Sequence, residues 1–209
     1  INADHLGLIE VQQQKRGFAK GFIVTNPNCA VTSIAPPLAA LHRRFGVESA
    51  VVTTLQAISG AGYPGVASLD IIDNVIPYIA GEEPKVETES QKILGEMVGG
   101  AIHKADFTLS AQCFRVNVID GHTASIRVNL RNTATLEDVV DAMKSFPVLD
   151  LHSSPDRFID VLDEPSRPQP RLDRDRGNGM TVIVGRVFPD NVFDYRFVSL
   201  SHNTVRGAA

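Results

Sequence analysis

Asn28-Cys29 is the pair with the most evident chemistry. The apolar run Phe22 to Val24 reads as a buried strand, Thr25-Asn-Pro-Asn breaks it, and Ala30 to Phe45 reads mostly as helix. Asparagine is a strong N-cap type, so the spacing predicts Cys29 in the first helical turn. Unpaired N–H groups and the positive end of the helix dipole lower a thiol's pKa there, which suits a nucleophile. The other reading is a small buried cysteine without chemistry, the common state of a free thiol.

Three more groups could serve such a thiol. The segments 107–119 and 122–130 alternate like strands around Asp120-Gly121, a strong hairpin signal. Paired in that way, Cys113, Arg115, Asn117, Ile119 and His122 share one face, with Arg115 and His122 roughly 13 Å apart along the sheet. That separation suits a grip on opposite ends of a small polar molecule. Arg115, between Phe114 and Val116, either pairs with an acidic residue or waits for a carboxylate. Glu89 and Lys92 lie three apart on one helix face, as a solvated ion pair or as ligand contacts. Gln56, ending a strand that begins at Val47, is a hydrogen-bonder facing a loop.

Two other patterns are set aside. Gly60-Ala-Gly-Tyr-Pro-Gly65 spells a dinucleotide fingerprint, but Pro64 sits where the phosphate-binding helix should begin. The histidines at 5, 42, 103, 122, 152 and 202 show no metal-ligand spacing, and no Cys-x-x-Cys exists, so no metal is expected.

The elements that must position these groups follow from periodicity. A helix over 3–14 is capped by Asn2 and ended by Gly17, and Pro36-Pro37 predicts a kink or break in the helix after Cys29. Strands are predicted over 47–58, 181–187 and 194–201, and helices over 87–99 and from a Thr133 cap to Phe146. The polar, proline-bearing stretch 153–179 reads as one long loop whose charges face solvent or a partner. The sum is a mixed α+β fold, a largely antiparallel sheet with helices on one face.

Bulk properties narrow the function classes. The 209 residues are 43% hydrophobic and 21% charged, with a formal net charge of −4. No basic run fits nucleic acid or an anionic membrane, and no apolar stretch nears the roughly 20 residues that span a bilayer. Two cysteines make no disulfide framework, so the cytoplasm is the expected compartment. A first residue Ile1 and a last stretch Arg206-Gly-Ala-Ala209 read as cut ends of a longer protein.

Taken in order, Asn26-Pro-Asn-Cys29, Gln56 with the loop to Gly65, Glu89-Ser-Gln-Lys92 and Cys113 to His122 resemble aspartate-semialdehyde dehydrogenases, most nearly the fungal and archaeal branch. The resemblance implies a catalytic and dimerisation domain over 1–209, akin to the C-terminal domain of glyceraldehyde-3-phosphate dehydrogenases. Residues 203–209 would begin a last helix, and the nucleotide-binding domain would lie outside. It implies NADPH-dependent reductive dephosphorylation of L-4-aspartyl phosphate, on the route to threonine, methionine and lysine. Cys29 matches the nucleophile, His122 the acid/base and Gln56 the residue orienting the intermediate. Arg115 matches the carboxylate clamp, Glu89 the ammonium partner, and Lys92 and Asn28 the phosphate contacts. NADP is the implied cofactor and a homodimer or tetramer the implied assembly. These residues alone are expected neither to bind NADP well nor to transfer hydride. The rivals are N-acetyl-glutamyl-phosphate reductase, malonyl-CoA reductase, a dimerisation module alone, and a binding protein with an idle cysteine.

Overall fold

A computed structural model describes residues 2–208; the readings placed on Ile1 and Ala209 lie outside them. The helices are α1 (Leu8–Arg16), α2 (Val31–Phe45), α3 (Ser68–Ile71), α4 (Glu82–Leu94), α5 (Leu136–Lys144) and α6 (Pro170–Asp173). The strands are β1 (Val47–Gln56), β2 (Glu96–Val98), β3 (Ala101–His103), β4 (Thr108–Arg115), β5 (His122–Leu130), β6 (Ile159–Leu162), β7 (Val182–Pro189) and β8 (Tyr195–Ser201). Six of them form one sheet in the order β4-β1-β5-β8-β7-β6, and β2 and β3 pair separately. The pairs β1–β5, β5–β8 and β7–β8 are antiparallel, while β1–β4 and β6–β7 are parallel. The sheet is therefore mixed but mainly antiparallel, as its alternating sequences imply. No helix among the described residues is long and apolar enough to cross a membrane.

One face of the sheet is closed by helix. In β5, His122, Ala124, Ile126, Val128 and Leu130 are buried and the residues between them are half-buried. The buried set meets α2, whose residues from Val31 to Leu38 are all buried. Burial of this kind, at roughly 25 cal/mol per Å² of apolar surface, holds the layers together.

Pro36 and Pro37 do not break α2, contrary to the sequence expectation. Pro37 lacks the N–H that would bond the Ser33 carbonyl, but that carbonyl accepts the Ser199 hydroxyl of β8 at 2.6 Å. A tertiary donor thus replaces the lost helical one, and packing along the whole helix outweighs local propensity.

Other expectations also give way to tertiary context. The hairpin does not form: β1 lies between β4 and β5, so Ile119 is not opposite His122, and Ile119 and Asn117 are exposed. After Arg115 the chain runs beside the end of β1, with Ile58 N–H bonding the Val118 carbonyl and Ser59 N–H the Ile119 carbonyl. It then turns at Gly121, with φ at +102°, into β5 on the far side of β1. Phe22 to Val24 is an exposed extended segment rather than a buried strand. The Ile23 N–H and carbonyl both bond the side-chain amide of Gln12.

Helix α4 begins at Glu82, five residues before the expected start, because Gly81 takes a left-handed conformation and Glu82 and Glu83 fill the first turn. Pro84 is tolerated there because first-turn N–H groups have no helical partner anyway. The cap of α5 is Thr135, not Thr133, in a capping box with Asp138.

The stretch 153–179 is not a plain loop. It contributes β6 and α6, and Asp173 is completely buried. The Asp173 carboxylate accepts from both arms of Arg167, from Arg176 Nε at 3.2 Å and from the Gln169 N–H at 2.7 Å. Burial pushes its pKa up, but Arg167, the Gln169 N–H and Arg176 outweigh that and hold it below the usual carboxylate value. Removing one member of such a network leaves the others unpaired, so Asp173→Ala should cost about 3 kcal/mol in urea unfolding at pH 7. A cost under about 0.5 kcal/mol would mean that the arm is not held by this carboxylate.

Candidate active site

The C-terminal end of β1 is where the reactive groups meet. Asn28 Oδ1 accepts the Ala30 N–H at 2.8 Å and the Val31 N–H at 3.4 Å, but the N-cap of α2 is Ala30 rather than the expected Asn28. Regular helix starts only at Val31, so Cys29 sits in the turn just before it. Its Sγ lies 3.2 Å from His122 Nε2.

His122 is fully buried, and its Nδ1 accepts the Ala57 N–H at 3.1 Å. An imidazole that accepts at Nδ1 carries its proton, when neutral, on Nε2. Nε2–H therefore points at the sulfur. Burial, followed by Arg115 and His202, pushes the His122 pKa down to about 3, so the ring is neutral at pH 7.

The thiol does not behave as its helix position suggested. Burial, then the charge of Glu82, raises the Cys29 pKa; the Ala30 N–H and Arg115 oppose this without reversing it. Proximity to a helix start is outweighed because the sulfur also faces a carboxylate in a partly buried place.

Arg115 is 6% exposed, and its Nη1 donates to the Ala57 carbonyl at 2.7 Å. No carboxylate forms an ion pair with it among the described residues, so the salt-bridge alternative does not hold. Nor are Arg115 and His122 at opposite ends of a grip. A Cβ built on Gly60 would stand 2.8 Å from Arg115 Nη1 and 2.9 Å from His122 Nε2, so both groups border one small space.

Gln56 is buried at the end of β1, its Nε2 donating to Glu82 Oε1 at 3.0 Å and to Thr54 Oγ1 at 3.2 Å. The same Glu82 oxygen accepts Asn28 Nδ2 at 2.9 Å. Glu89, a little under two turns further along α4, accepts the Asn28 N–H at 2.6 Å. Cys29, His122, Arg115, Gln56, Asn28 and Glu89 are thus brought together. Lys92 is exposed and bonds none of them.

Sequence reasoning missed Glu82 and Ala57. Glu82 had a signal, since Gly81-Glu-Glu-Pro is a helix-start pattern that puts a carboxylate at a helix end. Ala57 had none, because it acts only through its backbone.

A thiol beside an imidazole N–H, next to a buried arginine with no anion, is built for covalent chemistry at the carbonyl carbon of an anionic molecule. The profile of the semialdehyde dehydrogenase dimerisation domain matches residues 38–206. The chain belongs to this semialdehyde dehydrogenase family.

Among semialdehyde dehydrogenases, it is similar to the aspartate-semialdehyde dehydrogenase of Archaeoglobus fulgidus, with 51% identity over 100% of this chain and 60% of the relative. The Aspergillus fumigatus enzyme of the same name is 50% identical over 100% of this chain and 61% of the relative. The crystal structure of the Candida albicans enzyme with NADP superposes with a TM-score of 0.87 at 42% identity, covering 100% of this chain and 62% of that one. The Vibrio cholerae aspartate semialdehyde dehydrogenase II, complexed with ASA, gives a TM-score of 0.70 at 25% identity, covering 90% of this chain and 58% of that one. The chain thus spans about 60% of the length of the curated relatives it matches.

Two outcomes follow from the site's geometry. In the complete enzyme, Gly60→Ala drives a methyl against Arg115 and a His122 ring that Ala57 pins, so kcat/KM should fall about 10²-fold with unchanged far-ultraviolet circular dichroism. Unaltered kinetics would place the substrate elsewhere. The second outcome concerns acid. Between the ordinary histidine pKa of 6.5 and the folded value of about 3, the unfolded chain binds a proton that the fold excludes. Stability should therefore fall as pH drops below 6.5, visible as a lower urea midpoint at pH 5 than at pH 7. His122→Gln should remove part of that loss. His42, lowered by burial and by Arg131, contributes in the same direction.

Proposed function

We propose that this chain is the catalytic and dimerisation part of an NADP-dependent aspartate-semialdehyde dehydrogenase. The observation that carries the reading is the 3.2 Å contact of Cys29 Sγ with His122 Nε2, beside a buried Arg115 that lacks an anion. Coverage of about 60% of each relative supports placing the nucleotide-binding domain outside these residues. The fit to the coenzyme points the same way. Gly60 and Ala61 belong to a 3₁₀ turn (Ile58–Ala61) and only the four-residue α3 follows the Gly60 to Gly65 stretch, so the strand–loop–helix setting of a dinucleotide cradle is not built there.

The chain's own groups account for the acyl-transfer half of the reaction. Cys29 Sγ attacks the carbonyl carbon of the aspartyl phosphate, the carbon–oxygen bond to phosphate breaks, the thiol proton leaves with the phosphate, and a thioester remains. NADPH, when bound, supplies the hydride that reduces this thioester. His122 Nε2–H, no longer facing a free thiol, donates to the substrate oxygen and steadies the charge that develops there. Its neutrality makes it a hydrogen-bond donor at pH 7 rather than a standing cation. Sulfur then departs as the carbonyl re-forms, and the semialdehyde leaves.

Charge placement supports an amino-acid substrate. Arg115 is the proposed clamp on the α-carboxylate, bidentate by shape. We assign the ammonium partner to Glu82 rather than Glu89. Glu82 Oε1 takes the two amide donors, whereas Glu89 is occupied with the Asn28 backbone. Gln56, held by Glu82, orients the intermediate, and Asn28 with the start of α2 favours the phosphate. Lys92, exposed one turn beyond the Glu89 that bonds the Asn28 N–H, is the proposed second phosphate contact.

The second reading concerns assembly. The sheet face opposite α2 is uncovered at Thr53, Leu55, Ser125 and Arg127, and in a dimerisation-domain family it is the surface proposed to meet a second copy. Sedimentation should show a dimer.

The decisive assay uses the complete enzyme with aspartate semialdehyde, phosphate and NADP. NADPH absorbance should rise, and Cys29→Ser should abolish it. Glu82→Gln should raise the KM for the semialdehyde about tenfold or more, with Glu89→Gln milder, since a charge-assisted bond is lost only in the first. If neither substitution matters, an acylated amine such as N-acetyl-glutamyl phosphate becomes the better substrate. No turnover by the wild type with either substrate sinks the assignment.

A further inference from the structure

Asn203 lies at the start of the terminal turn, 1% exposed, where Arg206 N–H bonds the His202 carbonyl at 3.0 Å. Both ends of its amide are used. Oδ1 accepts the Gly121 N–H at 2.8 Å, and Nδ2 donates to Ser59 Oγ at 2.9 Å. Those partners belong to the two segments that set His122. Gly121 immediately precedes it, and Ser59 is two residues beyond Ala57, whose N–H fixes Nδ1.

The same turn reaches the thiol. A Cβ on Gly207 would stand 3.0 Å from both Cα and Cβ of Cys29, so the turn packs directly behind the nucleophile. Gly121 is crowded from its other side, since a Cβ there would meet Pro170 at 3.2 Å and Leu200 at 3.3 Å. The segment before His122 is thus squeezed between the 163–179 arm and one buried carboxamide. Arg115 on β4, His202 in the terminal turn and the Cys29 thiol are the titratable neighbours of the ring.

We infer that Asn203 is a positioning residue for His122, joining the 57–59 and 119–121 segments so that Nε2 stays aimed at Cys29 Sγ. The inference rests on the reading of Cys29 and His122 as the reacting pair. A neutral carboxamide suits the place because one side must accept, from the Gly121 N–H, and the other donate, to Ser59 Oγ. Asn203 acts through Gly121 and Ser59 and takes no part in bond making.

The test uses the complete enzyme and two variants. Asn203→Leu keeps similar volume and removes both bonds; Ser59→Ala removes only the partner of Nδ2. In folded Asn203→Leu, kcat should fall about 10²-fold with little change in the KM for aspartate semialdehyde, because misaimed groups lose rate rather than binding. The His122 ring, followed by carbon NMR of histidine-labelled protein without substrate or coenzyme, should titrate closer to the ordinary 6.5 as water gains access. Ser59→Ala should show the same changes more weakly, about tenfold or less in kcat, and the double variant should be no worse than Asn203→Leu alone.

Unchanged kcat and unchanged titration in the folded leucine variant overturn the inference. So does a rise confined to the KM for coenzyme, which would make Asn203 a ligand contact instead. Should the leucine variant fail to fold, Ser59→Ala decides, and equality with wild type overturns the inference. Absence of aspartate-semialdehyde turnover in the wild type would strike the functional reading alone, since the ring titration still reports on Asn203.

Discussion

The backbone of Ala57 is the joint on which the site depends. Its N–H fixes the tautomer of His122 and its carbonyl takes the guanidinium of Arg115, so the two peptide planes that meet at one Cα set the positions of both. Sheet topology makes this possible. β4 runs parallel to β1 and ends beside it at Arg115, while β5 runs antiparallel and begins at that same end with His122. A central strand with one parallel and one antiparallel neighbour necessarily brings the finish of one and the start of the other to its own tip.

Around that joint the chain holds one buried guanidinium and one buried carboxylate without pairing them. Arg115 is satisfied by a neutral carbonyl and Glu82 by neutral amides. Direct pairing would quench both charges, whereas neutral partners leave each able to take an opposite charge from a ligand. The thiol between them is held protonated by burial and Glu82, and the imidazole is held neutral by burial and Arg115. A substrate that offsets the charge of Glu82 and excludes water alters the balance that sets the thiol.

Most of the groups that meet at the end of β1 were legible in the sequence because their types and order are unusual: an Asn-Cys before a helix, a glutamine at a strand end, and an arginine and a histidine seven residues apart. The strands β1, β5, β7 and β8 were legible too, from alternation and β-branched residues. The hairpin was misread because Asp-Gly reports a local turn and says nothing about an intervening strand from earlier in the chain. Glu82 went unread because the helix that carries it was expected to begin at Glu87, five residues late. The strand β6 was hidden because it is only four residues long and sits among prolines and charges.

By itself, the sequence determined the chemical repertoire, the α+β class and the family, since these depend on residue identity and short-range periodicity. Only the tertiary structure decided which groups share a space. It placed β1 between two strands that look like neighbours, let a Ser199 hydroxyl carry α2 through two prolines, and turned a thiol expected to be acidic into one held protonated. The physical reason is common to all three. Strand order, replacement hydrogen bonds and burial are set by residues distant in the chain, and local pattern carries no record of them.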